Sequence, residues 1–204
     1  IVDLAHSRQE SNWQRKGWID KIFTADEQLQ IRASTQPERL VWLMWSMKES
    51  AYKIYNRMTR ERSYSPKKFV CRVVTMSDAA ATGYVLCMER CFSTKSVLTT
   101  GFLHTVASST ADFDVINISI KKRTKDCRLL RRSFSLLKVQ TGIPYLLDLL
   151  TGNKLTVSLS QHGSYEAMIF VRELTCTRVI GLLSVYVCGT TSAWQTAPAM
   201  NLFR

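Results

Sequence analysis

An α+β fold, with an antiparallel sheet packed on one central helix, is what the 204-residue sequence predicts, on three observations. Residues 40–58 carry apolar side chains at spacings of three and four, as a helix lying on a core does. Residues 68–121 hold short runs of β-branched and aromatic residues parted by Ser, Ala, Asp and Thr, the texture of antiparallel strands. A chain of this length suits one domain or two small lobes, and buries roughly 70% of its unfolded surface without disulfide or metal staples.

In chain order, Ile1-Val2-Asp3-Leu4 reads as a short β-like apolar pair next to an acid. Residues 8–17 are polar and basic around Trp13, a loop or short helix. Thr24-Ala25-Asp26-Glu27 is a capping box, so a helix runs from about Ala25 to Ala33, with Phe23 placed to pack back onto it. Pro37 sits at the first turn of the central helix, where its missing N–H costs little. In that helix Leu40, Met44, Met47, Ala51, Ile54 and Met58 form the apolar stripe. Trp45, Glu49, Tyr52, Lys53 and Asn56 project roughly opposite, with Lys48 at the flank. This second face is compatible with a solvated surface carrying a Glu49–Lys53 ion pair. It is also compatible with a metal-bound phosphoanhydride, since a carboxylate binds Mg²⁺ and lysines neutralise phosphate oxygens. Periodicity does not choose between the two.

A basic loop follows, Arg60 to Pro66, with Arg57 just before it. Strands are expected over residues 69–75, 83–88, 96–106 and 113–120 of a single 1–204 domain, in which 68–121 is a β-rich insertion or extra lobe where the resemblance described below weakens. His104 alternates within its strand and reads as a hydrogen-bonded structural histidine. Residues 121–132, KKRTKDCRLLRR, carry seven cations against one acid. A helix from Asp126 would turn Leu129, Leu130, Phe134 and Leu137 inward and present arginines along one edge. Residues 179–187 read as a final strand before an irregular tail.

The net charge of +12 points to an anionic partner, which nucleic acid, a membrane surface, an acidic protein or a polyphosphate would satisfy. The 121–132 patch has no interleaved aromatics, which disfavours nucleic acid. Six cysteines without a C-x-x-C pair indicate neither zinc nor a redox motif, and are expected to be reduced. No signal peptide is apparent and no apolar run is long enough to cross a bilayer, so the cytoplasm is the expected location.

Trp45-Ser46-Met47-Lys48-Glu49-Ser50-Ala51-Tyr52-Lys53 resembles W-[ST]-x-K-E-[AS]-x-x-K, the signature of the 4′-phosphopantetheinyl transferase superfamily. Ile1 to Leu4 resembles the last four positions of the family's opening strand, G-x-D-I-V-[DE]-[IL], whose first metal acid then falls just before Ile1. The order of motifs, with Gly142-x-Pro144 and Ser158-x-Ser160 last, is similar to that of holo-acyl-carrier-protein synthases. The resemblance implies transfer of 4′-phosphopantetheine from coenzyme A to a serine of an acidic apo acyl or peptidyl carrier protein. It implies Glu49 as a catalytic residue and Mg²⁺ ligand, Asp3 as a second metal acid or an orienting one, and Lys53 as the cation on the transferring phosphate. Lys48, Trp45, Arg57, Arg62 and His162 would contact coenzyme A, His162 in place of the histidine that the family carries where Gln161 stands. Arg128 and Arg131 would dock the carrier protein. The rival readings are a non-catalytic basic protein that binds nucleic acid or an acidic protein, and a family member that has lost its activity.

Overall fold

Helices open the chain and two antiparallel sheets follow in this computed structural model, which describes residues 1–123, 134–138, 143–171 and 185–187. β1 (Val2–Asp3) runs straight into α1 (Leu4–Glu10), which Asp3 caps by accepting the His6 N–H. α2 (Trp18–Ile22) starts after Gly17, whose φ of +79° is left-handed. α3 (Ala25–Ala33) begins on the expected capping box: Thr24 Oγ1 accepts the Glu27 N–H, and Glu27 Oε2 accepts the Thr24 N–H at 2.8 Å. Phe23, before that cap, is fully buried against Trp18. α4 (Pro37–Thr59) opens on its proline and stops at Arg60, which takes a left-handed φ of 64°.

The first sheet has the order β1-β5-β4-β3-β2, built from β2 (Val70–Met76), β3 (Ala80–Cys87), β4 (Arg90–Leu98) and β5 (Phe102–Ser108). The single strand expected over residues 96–106 is thus two strands. The turn between them has no Pro or Asn to announce it: Thr99 Oγ1 accepts the N–H groups of Gly101 and Phe102 and reverses the chain with a β-branched residue. The second sheet has the order β6-β10-β9-β8-β7, from β6 (Ile116–Lys122), β7 (Phe134–Lys138), β8 (Pro144–Asp148), β9 (Lys154–His162) and β10 (Tyr165–Val171). β11 (Val185–Val187) pairs with β5 in the first sheet. The 68–121 block is therefore divided between two sheets, β2 to β5 in the first and β6 in the second. Phe134 to Leu137 lie in a strand paired with β8, not in the helix expected from Asp126; residues 124–133 fall outside the described residues.

α4 lies against the first sheet. Met47, Ala51 and Ile54 share one core with Val85, Phe92, Leu98 and Leu103, and Ser50 Oγ donates to the carbonyl of Thr105 in β5 at 3.1 Å. Two expectations about this helix need correction. Met58 is 45% exposed, so the apolar stripe stops at Ile54. The opposite face is more enclosed than its polar residues suggest: every residue from Leu40 to Tyr52 is buried, and Lys53 and Asn56 are half-buried. Helical periodicity detects the stripe that packs on the sheet, but Trp18, Tyr64 and Phe69 come from elsewhere in the chain to cover the other side. Each large apolar side chain so enclosed contributes about 1.5–3 kcal/mol.

Candidate functional site

The enclosing elements divide the polar face of α4 into two sides. On one, Trp45 packs its ring against Trp18 and Tyr64, and Tyr52 lies 4.6 Å from the Tyr64 ring, centroid to centroid. On the other, Lys53 and Arg57, four residues apart, reach β9. Lys53 Nζ donates to the Leu159 carbonyl at 3.1 Å, and Arg57 donates to the Val157 carbonyl at 2.6 Å. One helical turn advances about 5.4 Å and two strand residues about 6.7 Å, so these two long side chains meet β9 at matching steps. Glu49, 4% exposed, is one turn further along the same stripe, toward the end of β9 that carries His162.

That end of β9 is tied to the start of the chain. His162 Nδ1 accepts the Asp3 N–H at 2.9 Å, and Asp3 Oδ2 accepts the Ser164 N–H at 2.8 Å. The Ile1 backbone nitrogen donates to Ser160 Oγ at 2.6 Å. Because Nδ1 accepts, the neutral ring carries its proton on Nε2. Burial, and then the neighbouring His6, push the His162 pKa down to about 4, which keeps the ring neutral in ordinary buffers. Burial alone would raise the pKa of Asp3, but the N–H groups of Ser164 and His6 outweigh it and hold the carboxylate below its usual range. Gly163 makes the approach possible. Its φ is +52°, and a Cβ there would stand 2.5 Å from Asp3 Oδ2.

Of the residues singled out from sequence, Glu49, Lys53 and Arg57 share one side of α4, and Asp3 and His162 meet at the end of the adjoining strand. Arg62 is exposed, and its charge bears on Tyr52, whose phenol is raised by burial against that pull. Trp45 and Lys48 lie deeper than the helical pattern predicts. Trp45 is 4% exposed, with its ring against Trp18 and Tyr64. Lys48 is 0% exposed and donates to both Glu27 oxygens at 2.8 Å, so its ammonium points into the core. Two ammonium groups on neighbouring turns thus serve different surroundings. His104 is 1% exposed with neither ring nitrogen hydrogen-bonded, unlike the bonded histidine expected, and burial holds its pKa well below the usual value. Gln161 points to the other side of β9, with its amide beside the Arg123 guanidinium.

Sequence reasoning missed Glu27, Ser160 and Gly163 as parts of this arrangement. Gly163, directly after a histidine at the end of a strand run, was the available signal; Glu27 was already accounted for as a capping residue. Lys121 and Lys122 of the basic patch end β6 and Arg123 follows it, whereas Arg128 and Arg131 lie outside the described residues. Among the described residues no helix is long and apolar enough to cross a membrane, and no group of three or more His, Cys, Asp or Glu side chains is gathered to hold a metal ion.

Searches of curated proteins and of solved structures found no match. A sequence model of one family does match, over residues 1–107, a span that runs from β1 through α4 almost to the end of β5. It takes in Asp3, Glu49, Lys53 and the sheet on which α4 lies, which is more than half of the 204 residues, and on that ground the chain belongs to the 4′-phosphopantetheinyl transferase superfamily.

Proposed function

We propose that the protein moves the 4′-phosphopantetheine group of coenzyme A onto a serine hydroxyl of an apo acyl or peptidyl carrier protein, in the manner of holo-acyl-carrier-protein synthases, with Mg²⁺ as the metal. The observation that carries this reading is the Glu49–Lys53–Arg57 stripe laid along β9, in a chain of this family. A serine Oγ–phosphorus bond forms, the phosphoanhydride bond to adenosine 3′,5′-bisphosphate breaks, and the hydroxyl proton passes to a base, for which Glu49 is the candidate.

The donor set suits the ion. Mg²⁺ takes one or two carboxylates and fills its remaining positions with water and substrate phosphates, so a gathered set of three side chains is not required. Glu49 is the carboxylate that fits as ligand. Asp3 already accepts two N–H groups, from His6 and Ser164, and suits bracing this ligand site more than direct ligation. When bound, the ion offsets pyrophosphate charge and orients it for in-line attack.

The chain's own cations do the remaining work. Lys53 lies at the rim of β9, where its ammonium stabilises charge developing on the transferred or leaving phosphate. Arg57 and Arg62, on the same helix end and the loop after it, are the candidates for the other coenzyme A phosphates. His162, neutral, offers an Nε2 proton as a hydrogen-bond donor. An acidic carrier protein would be drawn by the +12 charge, more strongly at low salt.

Mass spectrometry of an apo carrier protein incubated with the protein, coenzyme A and Mg²⁺ tests the reading. The expected result is the added mass of the arm, abolished by a chelator. Carrier proteins of the fatty-acid and peptide types that all stay unmodified, beside a control transferase that loads them, would overturn it.

A further inference from the structure

The Lys48 ammonium has four acceptors around it: both Glu27 oxygens at 2.8 Å, the Pro66 carbonyl at 3.2 Å and the Phe69 carbonyl. An ammonium has three protons, so its hydrogen-bonding capacity is used up. Glu27 is equally occupied. Its Oε1 also accepts the Cys71 N–H at 2.7 Å, and its Oε2 the Thr24 N–H at 2.8 Å. Both side chains are 0% exposed, and the Phe23 ring lies 5.4 Å from Lys48 Nζ. One buried ion pair therefore joins three stretches: the first turn of α3, the middle of α4, and residues 66–71.

Residues 66–71 close the loop 60–65, which carries Arg62 and also Tyr64, whose ring meets Trp45 edge-on and Tyr52 at a tilt. We infer that Lys48 is a positioning residue that fixes this loop and the Glu49–Lys53 stripe through Glu27, and that it makes no contact with a phosphate of the donor. Turning its ammonium toward a phosphate would leave Glu27 a buried anion and strip two buried carbonyls of their donor, at a cost no exposed lysine faces. The consequence for coenzyme A rests on the transfer reading above; the hold on the loop does not.

The test compares Lys48→Met with the double variant Glu27→Gln/Lys48→Met, by hydrogen exchange over residues 60–71 and by calorimetry with coenzyme A. Lys48→Met alone should speed exchange there and weaken coenzyme A binding, each by about tenfold or more, because an unpaired charge is left in the core. The double variant should recover most of both losses, since no charge remains and the new amide oxygen at position 27 still accepts the Cys71 N–H. Exchange that is unchanged in Lys48→Met overturns the inference. So does coenzyme A binding that stays weak in the double variant while exchange recovers, which would make Lys48 a phosphate ligand. Should Lys48→Met not fold, the double variant decides alone, and its failure to fold counts against the inference. A wild-type protein that ignores coenzyme A would sink the transfer reading, and the exchange measurements would still judge the positioning role.

Discussion

Lys48 and Lys53 are the same residue type, little more than one turn apart on the same helix, and they do opposite things. Lys48 is sealed beside the Phe23 ring and the Pro66 and Phe69 carbonyls and spends its charge on Glu27. Lys53 is half-buried and donates to the Leu159 carbonyl of β9. The comparison teaches that one signature can contain cations in two kinds of surroundings: one paired with a buried carboxylate, and one half-buried against a strand carbonyl, which the proposed function assigns to a phosphate. What separates them is the depth of the surroundings, not residue type or helical phase alone.

The largest effect on stability should come from the sealed side. Lys48→Met leaves Glu27 buried without its cation and should cost about 3–5 kcal/mol, read by urea or thermal unfolding. A loss under about 1 kcal/mol would mean that the pair is not the anchor described here. On the β9 side the same measurement should hardly move. Lys53→Ala and Glu49→Gln should instead lower transfer by about 10²–10³-fold with the fold intact, as removal of one electrostatic group at a reacting centre does. Near-normal rates in both, with Mg²⁺ present, would erase the functional half of the comparison.

How legible each side was in the sequence follows from how local its cause is. α3 was readable to the residue, because a capping box lies within four residues and announces itself. The apolar stripe of α4 was readable up to Ile54, because periodicity is also local. The sealed side was not. Its cover comes from Trp18, Tyr64 and Phe69, and the Lys48 partner stands 21 residues away as a residue that capping had already explained. Without that partner in view, a Lys and a Glu in adjacent positions read as a solvated edge. The tie between Asp3 and residues 162–164 spans about 160 residues and has no sequence pattern at all. His162 and Asp3 were both singled out, but through family resemblance, and nothing in the resemblance said that they touch.

That tie gives the β9 side a dependence on pH that the sealed side lacks. His162 has a folded pKa of about 4 against an ordinary 6.5, so the unfolded chain binds a proton that the native ring refuses. Its contribution is fully present above about pH 6.5 and is lost as pH falls toward 4, a change of about 3 kcal/mol at most. His104, also depressed, adds in the same direction. Asp3, depressed from 3.8, contributes only below that window, so the two effects separate along the pH axis. Unfolding free energies at pH 7 and pH 5 should therefore differ less in His162→Gln than in the parent. Equal differences in the two proteins would exclude His162 as a source.

The smallest effect asks whether close approach, and not backbone conformation alone, holds Asp3 in place. Gly163 and Gly152 both have left-handed φ, +52° and +73°, so alanine at either position meets the same backbone strain, roughly 1 kcal/mol. Only Gly163 is also crowded: its Cβ would meet Asp3 Oδ2 at 2.5 Å and the His6 Cβ at 2.8 Å, whereas nothing lies within 4 Å of a Cβ at Gly152. Gly163→Ala should thus destabilise by about 1–2 kcal/mol more than Gly152→Ala, because the hairpin must lift off Asp3 and the Ser164 N–H loses its acceptor. Hydrogen exchange should rise at Ser164 and His6 in Gly163→Ala alone, and stay unchanged over residues 60–71 in both, since those are held by Lys48. If the two alanine variants behave alike, the strain is all there is, and the end of β9 is not braced against the first strand in the way its hydrogen bonds imply.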